Sequence, residues 1–174
     1  FMSLFGGAML ALVVADNLLL LFMAWEIMGL CSYLLIGFWY SRKYEDPKAT
    51  PPRKAAIKAF MTTRVADVVM LLGIVFFYRT FGTLNFSEAF QAESLAAAAG
   101  SVGFTGLGIM ALMLFTGTVG KSAQWPLHTW LPDAMEGPTP VSAVIHAAAM
   151  VSAGVYLIVR VFPLITTAVD GMPA

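Results

Sequence analysis

The sequence is poor in charge and in the residues that build most soluble catalytic or metal sites. Only 11% of its residues are charged, against about 25% in an ordinary soluble domain. Ten basic and ten acidic residues cancel, which leaves no electrostatic footprint for nucleic acid. Cys31 is the only cysteine and His128 and His146 the only histidines. We therefore expect neither a disulfide framework nor a cluster of soft metal ligands.

Long apolar runs take the place of charge. Hydrophobic residues make up 59% of the chain, in runs of about twenty, the length that crosses a hydrocarbon core of ~30 Å. This predicts an all-α, polytopic transmembrane helix bundle with about five spans in a lipid bilayer. The spans fall at approximately 1–15 (partial), 17–40, 55–78, 102–135 (broken) and 140–162. Because residue 1 opens inside an apolar run, we expect a fragment of one transmembrane domain.

The fourth span contains a lysine followed by closely spaced prolines. Lys121 comes after nineteen mostly apolar residues, and Pro126, Pro132 and Pro138 follow it. Proline lacks the N–H that a helix interior uses, so no straight helix fits this stretch. Broken helices at membrane depth are typical of transport sites.

Basic residues are unevenly distributed between the loops. The loop between the second and third spans is rich in them, whereas the next loop has Arg79 with two acidic residues. The basic residues are Arg42, Lys43, Lys48, Arg53 and Lys54. The bias predicts that the first of these loops faces the cytoplasm or matrix.

Glu26 lies in the middle of the second apolar run. Burial opposes the charged form of a carboxyl and a nearby cation favours it, so such a group can exchange protons near neutral pH. We interpret Glu26 as a candidate proton relay. The alternative is a static ion pair that fixes two helices together.

Lys121 and His146 are the other relay candidates. A lysine at a broken helix can lose its proton when it is desolvated or its counter-ion moves. The alternative is that Lys121 snorkels at the end of a complete crossing. His146 shares a helical face with Ser142 and Met150, and its side chain either passes protons or stays a neutral hydrogen-bonded group. His128, among the prolines, is expected near the interface.

Arg64 and Asp67 stand three residues apart in the third span. Helical pitch brings such residues together, which favours an internal ion pair. The alternative makes Arg64 or Lys58 the movable counter-ion of Glu26. Asp133 and Glu136, near the prolines, are expected to cap or bridge helix ends. No dinucleotide fingerprint or nucleophile elbow is visible in the sequence, which gives no support to a cofactor site or to hydrolysis.

Several motifs carry a family resemblance. The run GKSAQWPLHTWLPDAMEGPTPVSAVIHAA at 120–148 resembles the antiporter-like, proton-translocating subunits of NADH:quinone oxidoreductase (respiratory complex I). The segments ADNLLL at 15–20, WE at 25–26 and GLCSYLLIGF at 29–38 are similar to the distal, subunit 5 (chain L) branch of that family. The likeness extends over most of the chain and is weakest at 79–100.

The resemblance implies a bundle with discontinuous helices at proton half-channels. By motif, Glu26, Lys121 and His146 match the relay residues of that family, and Arg64 with Asp67 matches an Arg-x-x-Asp segment. A second intramembrane lysine of the family has no counterpart, so this chain would supply one half-channel. Protons would enter near the proline-rich region, Lys121 and Glu26 would change partners, and His146 would lead onward.

The resemblance also implies partners and a membrane. No cofactor is expected in this chain, because NADH, FMN, iron–sulfur clusters and quinone would belong to other subunits. The partners would be the other membrane-arm subunits of complex I, in a bacterial plasma membrane or a mitochondrial inner membrane. The alternatives are a subunit of a multi-subunit cation/proton antiporter, a membrane-bound hydrogenase subunit and a structural membrane scaffold.

Overall fold

The computed structural model describes residues 1–42, 44 and 50–171, and this part of the chain is a bundle of helices. Its only β-pairing within those ranges is an isolated bridge between Asn17 and Asn85. The helices are α1 (Met2–Val14), α2 (Leu18–Ile36), α3 (Pro52–Phe81), α4 (Phe86–Ala89), α5 (Ala92–Lys121), α6 (Trp130–Asp133), α7 (Thr139–Ala143), α8 (Met150–Arg160) and α9 (Phe162–Asp170). The predicted all-α class is confirmed.

Four helical segments are long and apolar enough to cross a membrane. They are Leu18–Ile36, Pro52–Phe81, Ala92–Lys121 and Thr139–Arg160, and the shorter α1 is apolar as well. Large apolar side chains also lie on the outside of the bundle, among them Leu72, Leu112 and Val155. Helices that are apolar on both faces suit a lipid environment rather than water.

The helix ends follow local sequence signals. The Asn17 side chain accepts hydrogen bonds from the backbone N–H groups of Leu19 and Leu20. This bonding caps the start of α2, so the polar residue at position 17 marks the boundary between the first two spans. Pro52 opens α3, at the one helical position where its missing N–H has no cost. Gly82 ends that helix with a φ of 68°, a left-handed conformation that favours glycine.

The long helices are packed as antiparallel neighbours. The rings of Tyr33 on α2 and Phe60 on α3 are 5.4 Å apart. A Cβ at Gly120 on α5 would lie 2.5 Å from the Cβ of Ala66 on α3, so these two backbones are in close contact. On the other side of α5, the Thr118 hydroxyl donates to the carbonyl of Gly154 on α8 at 3.0 Å.

The bundle therefore has two distinct ends. The basic end contains the start of α3, the end of α2 and the proline-rich segment, with Arg42, Arg53 and Lys54 nearby. Lys43 and Lys48, which contributed to the predicted orientation, lie outside the described residues. At the opposite end, the Asn17 amide donates to Asn85 at 2.8 Å and Arg160 donates to the Ala15 carbonyl.

The fourth span is broken, and the break falls directly after Lys121. Helix α5 begins ten residues earlier than the expected residue 102, but Gly103 with a φ of 71° divides it at that point. The helix ends at Lys121, and the chain then turns through Ala123 with a φ of 49°. It resumes regular structure only at α6, because the intervening Pro126 lacks the N–H that would continue the helix.

A second break interrupts the last predicted span, which the sequence suggested to be continuous. Residues Val144–Ala148 form a π-helical turn between α7 and α8. The backbone N–H of Ala149 consequently donates to the carbonyl of Val144, five residues back, at 3.0 Å. Single π-turns of this kind occur often at functional sites.

Candidate functional site

Four charged side chains meet between three helices, and we refer to them as the central charge layer. Glu26 lies near the middle of α2, Arg64 and Asp67 lie near the middle of α3, and Lys121 is the last residue of α5. The antiparallel contacts between these helices bring the four residues to the same level. All four were predicted from the sequence, Glu26 and Lys121 as relay candidates and Arg64 and Asp67 as pairing residues, and the fold brings them together.

Lys121 is buried at half the depth of the bundle. Its side chain is 0% exposed, and its neighbour Gly120 contacts Ala66 in the middle of α3. At ~1.5 Å rise per residue, roughly 20 Å of α3 extends on each side of that point. The snorkelling interpretation is therefore wrong, because a snorkelling ammonium lies at a helix end near water.

Asp67 is the counter-ion of Lys121. The Lys121 Nζ lies 3.8 Å from Asp67 Oδ2, and both side chains are almost fully buried. The other carboxylate oxygen accepts a hydrogen bond from the Trp25 indole Nε1–H at 2.7 Å. Within the described residues, neither Lys121 Nζ nor Asp67 Oδ2 has a hydrogen-bond partner. A buried pair of this kind costs desolvation energy that its attraction only partly offsets.

Glu26 pairs with Arg64 across α2 and α3. The Arg64 guanidinium contacts Glu26 Oε2, and these side chains are 34% and 20% exposed. The guanidinium also lies over the Phe60 ring, 4.5 Å from its centroid. The prediction that Arg64 pairs with Asp67 is wrong. Arg64 contacts Glu26 on α2, whereas Asp67 has its opposite charge, Lys121, on α5. Arg64 instead faces Glu26, as the alternative interpretation proposed.

Lys58 is not part of this layer. Its Nζ lies 2.8 Å from Asp133 Oδ2 at the basic end of the bundle. Nearby, the Tyr44 hydroxyl donates to Glu136 Oε2 at 2.6 Å. That hydrogen bond raises the pKa of Tyr44 above its ordinary value of 10.0. Asp133 and Glu136 thus tie the proline-rich segment to α3 and to the loop before it.

His146 lies inside the π-turn, apart from the charge layer. Ser122, next to Lys121, contacts Val151, which therefore marks the level of the charge layer on this helix. His146 lies five residues before Val151, or about 8 Å along the helix axis toward the basic end. Its Nε2 and the Ser142 hydroxyl are buried and have no hydrogen-bond partner among the described residues. His128 is exposed, in line with an interfacial position.

Several groups that support the lysine had no role in the sequence analysis. The Trp130 indole, 0% exposed, donates to the Gly120 carbonyl at 3.1 Å, and the Ser122 hydroxyl donates to the Val151 carbonyl at 2.7 Å. The first bond satisfies a carbonyl in the last turn of α5, where the helix break removes the usual backbone donor, and the second ties the end of α5 to α8. The available signal was Trp130 itself, because a buried indole N–H needs an acceptor.

The layer consists of two ion pairs, Glu26 with Arg64 and Asp67 with Lys121, and α3 contributes one member to each pair. Moving a proton onto or off any member leaves a neighbour without its partner, and in a buried site such an imbalance shifts the charge state of the others. The fold and the site together define a multi-pass integral membrane protein with ionisable pairs buried between its spans. Among the residues that the structure describes, no nucleophile–base pair that would indicate covalent chemistry lies in this site.

Comparison with known proteins places the chain in a family. A family model described as NADH:quinone oxidoreductase/Mrp antiporter, transmembrane, matches residues 15–172. The chain belongs to this family. Its fold is also similar to a chain in the structure of the Mrp complex from Dietzia sp., with a TM-score of 0.75 and 36% sequence identity over 91% of this chain and 16% of that one.

Curated relatives are closer in sequence. The chain is 50% identical over 164 residues to NAD(P)H-quinone oxidoreductase subunit 5, chloroplastic, from Cichorium intybus. It is 49% identical to the protein of the same name from Symphyotrichum cordifolium. The matches cover 94% of this chain and 21% of each relative, so the chain spans about a fifth of their length.

Proposed function

We propose that this chain contains a proton-translocating half-channel, in which Lys121 is the central proton-carrying group. The observation that carries the proposal is a fully buried lysine at half the depth of the bundle, at the end of a broken helix, with one carboxylate 3.8 Å away. A purely structural charge pair would gain more from a shorter contact with further hydrogen bonds. A loosely held buried pair can exchange protons and partners.

The second ion pair supplies a switch for the first. Arg64 and Asp67 lie three apart on α3, so a displacement of Arg64 from Glu26 alters the field at Asp67 and Lys121. When Lys121 gives up its proton, Asp67 loses its counter-ion, and Arg64 is the nearest cation on the same helix. Each proton transfer would in this way involve an exchange of partners within the charge layer, between Glu26 and Lys121 on one side and Arg64 and Asp67 on the other.

Protons would enter from the basic end. Tyr44, Lys58, Asp133 and Glu136 provide polar side chains there, and the proline-rich segment leaves backbone groups available for water. His146, with an unpaired nitrogen in the π-turn, lies between that end and the level of Lys121. We propose that it carries protons between the entry region and the charge layer.

The names of the relatives extend the proposal to the whole assembly. We infer a membrane-arm subunit of an NAD(P)H:quinone oxidoreductase of the complex I type, whose NADH, FMN, iron–sulfur clusters and quinone are bound by other subunits. The chain itself performs no redox chemistry. We propose an energy-converting membrane as its location, either a bacterial plasma membrane, a mitochondrial inner membrane or, as in the named relatives, a membrane of the chloroplast.

The test replaces Lys121 in the full-length subunit within its complex. Lys121→Ala should abolish NAD(P)H-driven acidification of inverted membrane vesicles while the complex still assembles on a native gel. Lys54→Ala, an exposed lysine at the basic end, is the matched control and should pump normally. Normal pumping by Lys121→Ala would overturn the proposal. Equal loss of assembly and pumping would favour the structural scaffold.

The second candidate is a cation/proton antiporter subunit. The observation that favours it is the structural likeness to a chain of the Mrp complex at 36% identity. An antiporter would collapse a pH gradient when sodium or potassium is added, with no NAD(P)H present. Cation-dependent exchange that disappears in Lys121→Ala would favour this candidate over the oxidoreductase subunit.

A further inference from the structure

The Lys121 ammonium rests against the backbone of α2 at Gly29. A Cβ at this glycine would lie 2.5 Å from Lys121 Nζ and 3.9 Å from Cε. Among the described residues, the atoms within 4 Å of that Cβ all belong to the far end of this flexible side chain. Glycine at position 29 is therefore what lets the ammonium reach this place, and an added Cβ would displace the ammonium rather than the backbone of a neighbouring helix.

Trp25 lies one helical turn before Gly29 and contacts both members of the buried pair. Its ring centroid is 5.7 Å from Lys121 Nζ, within the range of a cation–π interaction. Its indole Nε1–H donates to Asp67 Oδ1 at 2.7 Å, which leaves Oδ2 as the oxygen that faces the lysine. One side chain thus orients the carboxylate and borders the ammonium.

We propose that Trp25 and Gly29 form an ammonium pocket, and that these two positioning residues fix where protonated Lys121 rests and how strongly Asp67 holds it. The inference rests on the proposed proton translocation through Lys121. It assigns the proton-loaded position of the lysine to α2, so that release of the proton corresponds to departure of the side chain from Gly29 and the Trp25 ring.

The first variant, Trp25→Phe, keeps an aromatic ring and removes the N–H donor. The charged groups around Asp67 are Lys121 of α5, Glu26 of α2 and Arg64 of α3, with Asp133 at the basic end, and none of these is altered. Without this donor, Asp67 Oδ1 loses its hydrogen bond and the carboxylate is no longer held in its orientation toward Lys121. The pH profile of pumping should therefore change in Trp25→Phe, whereas a ring that only fills space would leave the profile unchanged.

The second variant, Gly29→Ala, displaces the ammonium itself. Misplacement of a reacting group by ~1 Å can reduce a rate by two orders of magnitude, so proton pumping per NAD(P)H oxidised should fall by about tenfold or more. Gly6→Ala in α1 is the matched control, because a Cβ there meets nothing within 4 Å. It should assemble and pump like the unaltered complex.

The outcomes separate this inference from the proposed function. Normal pumping by Lys121→Ala means that the proposed function fails. Loss of pumping in Lys121→Ala, with an unshifted pH profile in Trp25→Phe and full activity in Gly29→Ala, overturns the ammonium pocket alone. If Trp25→Phe and Gly29→Ala both prevent assembly while Gly6→Ala does not, the two residues serve folding and the inference is wrong.

Discussion

The interior and the basic end of the bundle each contain a cross-helix lysine–aspartate pair, and the two differ in environment. Lys121 and Asp67 are 0% and 2% exposed and 3.8 Å apart. Lys58 and Asp133 are 43% and 24% exposed and 2.8 Å apart. The shorter contact is the weaker constraint, because water stabilises either partner of the exposed pair when the other is removed. In the interior no such substitute is available.

Removing the buried carboxylate should have the largest effect. Asp67→Asn keeps an acceptor for Trp25 but leaves the Lys121 ammonium without a counter-ion, which should destabilise the solubilised subunit by about 3–5 kcal/mol. The measurement is denaturant unfolding in detergent or bicelles. A loss of unfolding free energy below about 1 kcal/mol would mean that the Lys121–Asp67 pair behaves like the exposed Lys58–Asp133 pair.

A double variant separates stability from transport. Asp67→Asn with Lys121→Met removes both charges and should recover stability to within about 1 kcal/mol of the unaltered protein. Proton pumping should remain absent, because no proton carrier is left at that level. Recovery of pumping together with stability would show that pumping does not require the charges of Lys121 and Asp67.

Glu26→Gln should have an intermediate effect. Its partner Arg64 is one-third exposed and keeps its contact with Phe60, so the unfolding free energy should fall by about 1–2 kcal/mol. Pumping should fall much further than stability does. Glu93→Gln, at the start of α5, is a control carboxylate remote from the layer and should leave both unchanged.

Lys58→Ala should have a small effect that depends on salt. An exposed pair contributes at most about 1 kcal/mol, and screening at ~1 M salt should remove most of that difference. Parallel melting curves at low and high ionic strength test this expectation. A salt-independent loss of several kcal/mol would show that the basic end behaves like the interior.

The smallest effect is expected at Glu88, beyond the spans. The Thr83 hydroxyl and the Asn85 amide hold the pKa of Glu88 below its ordinary value of 4.5. A depressed folded-state pKa gives a contribution that is present above 4.5 and lost as the pH falls through the folded value. Thr83→Ala should move the Glu88 pKa back toward 4.5, measured by carboxyl NMR titration. An unchanged titration would mean that the hydroxyl has no influence.

Hydropathy and prolines predicted most of the architecture, because span length and helix breaking are local properties. The capped start of α2 at Asn17, the start of α3 near the Pro51-Pro52 pair and the break after Lys121 all have their cause within a few residues of sequence. The resemblance to a known family added the expected partners of the chain to these local predictions, and comparison with known proteins confirmed the family.

Pairing and depth were not predictable in the same way. Spacing suggested that Arg64 would pair with Asp67, but the partner of each residue lies on another helix. Contacts between helices cannot be predicted from the spacing of residues within one helix. The depth of Lys121 depends on the register between α5 and α3, which Gly120 and Ala66 set by close approach. The π-turn around His146 has no proline or glycine within it to reveal it.

The end of α5 at half depth has an electrostatic consequence of its own. A helix carries the equivalent of roughly half a negative charge at its C-terminus, and here that terminus lies at half the depth of the bundle, at the residue that carries the buried ammonium. This partial charge belongs to the backbone, so it is never neutralised and never leaves. In the proposed mechanism, this partial charge would favour the return of a proton to Lys121 after each release, and no side-chain substitution in the charge layer would remove it.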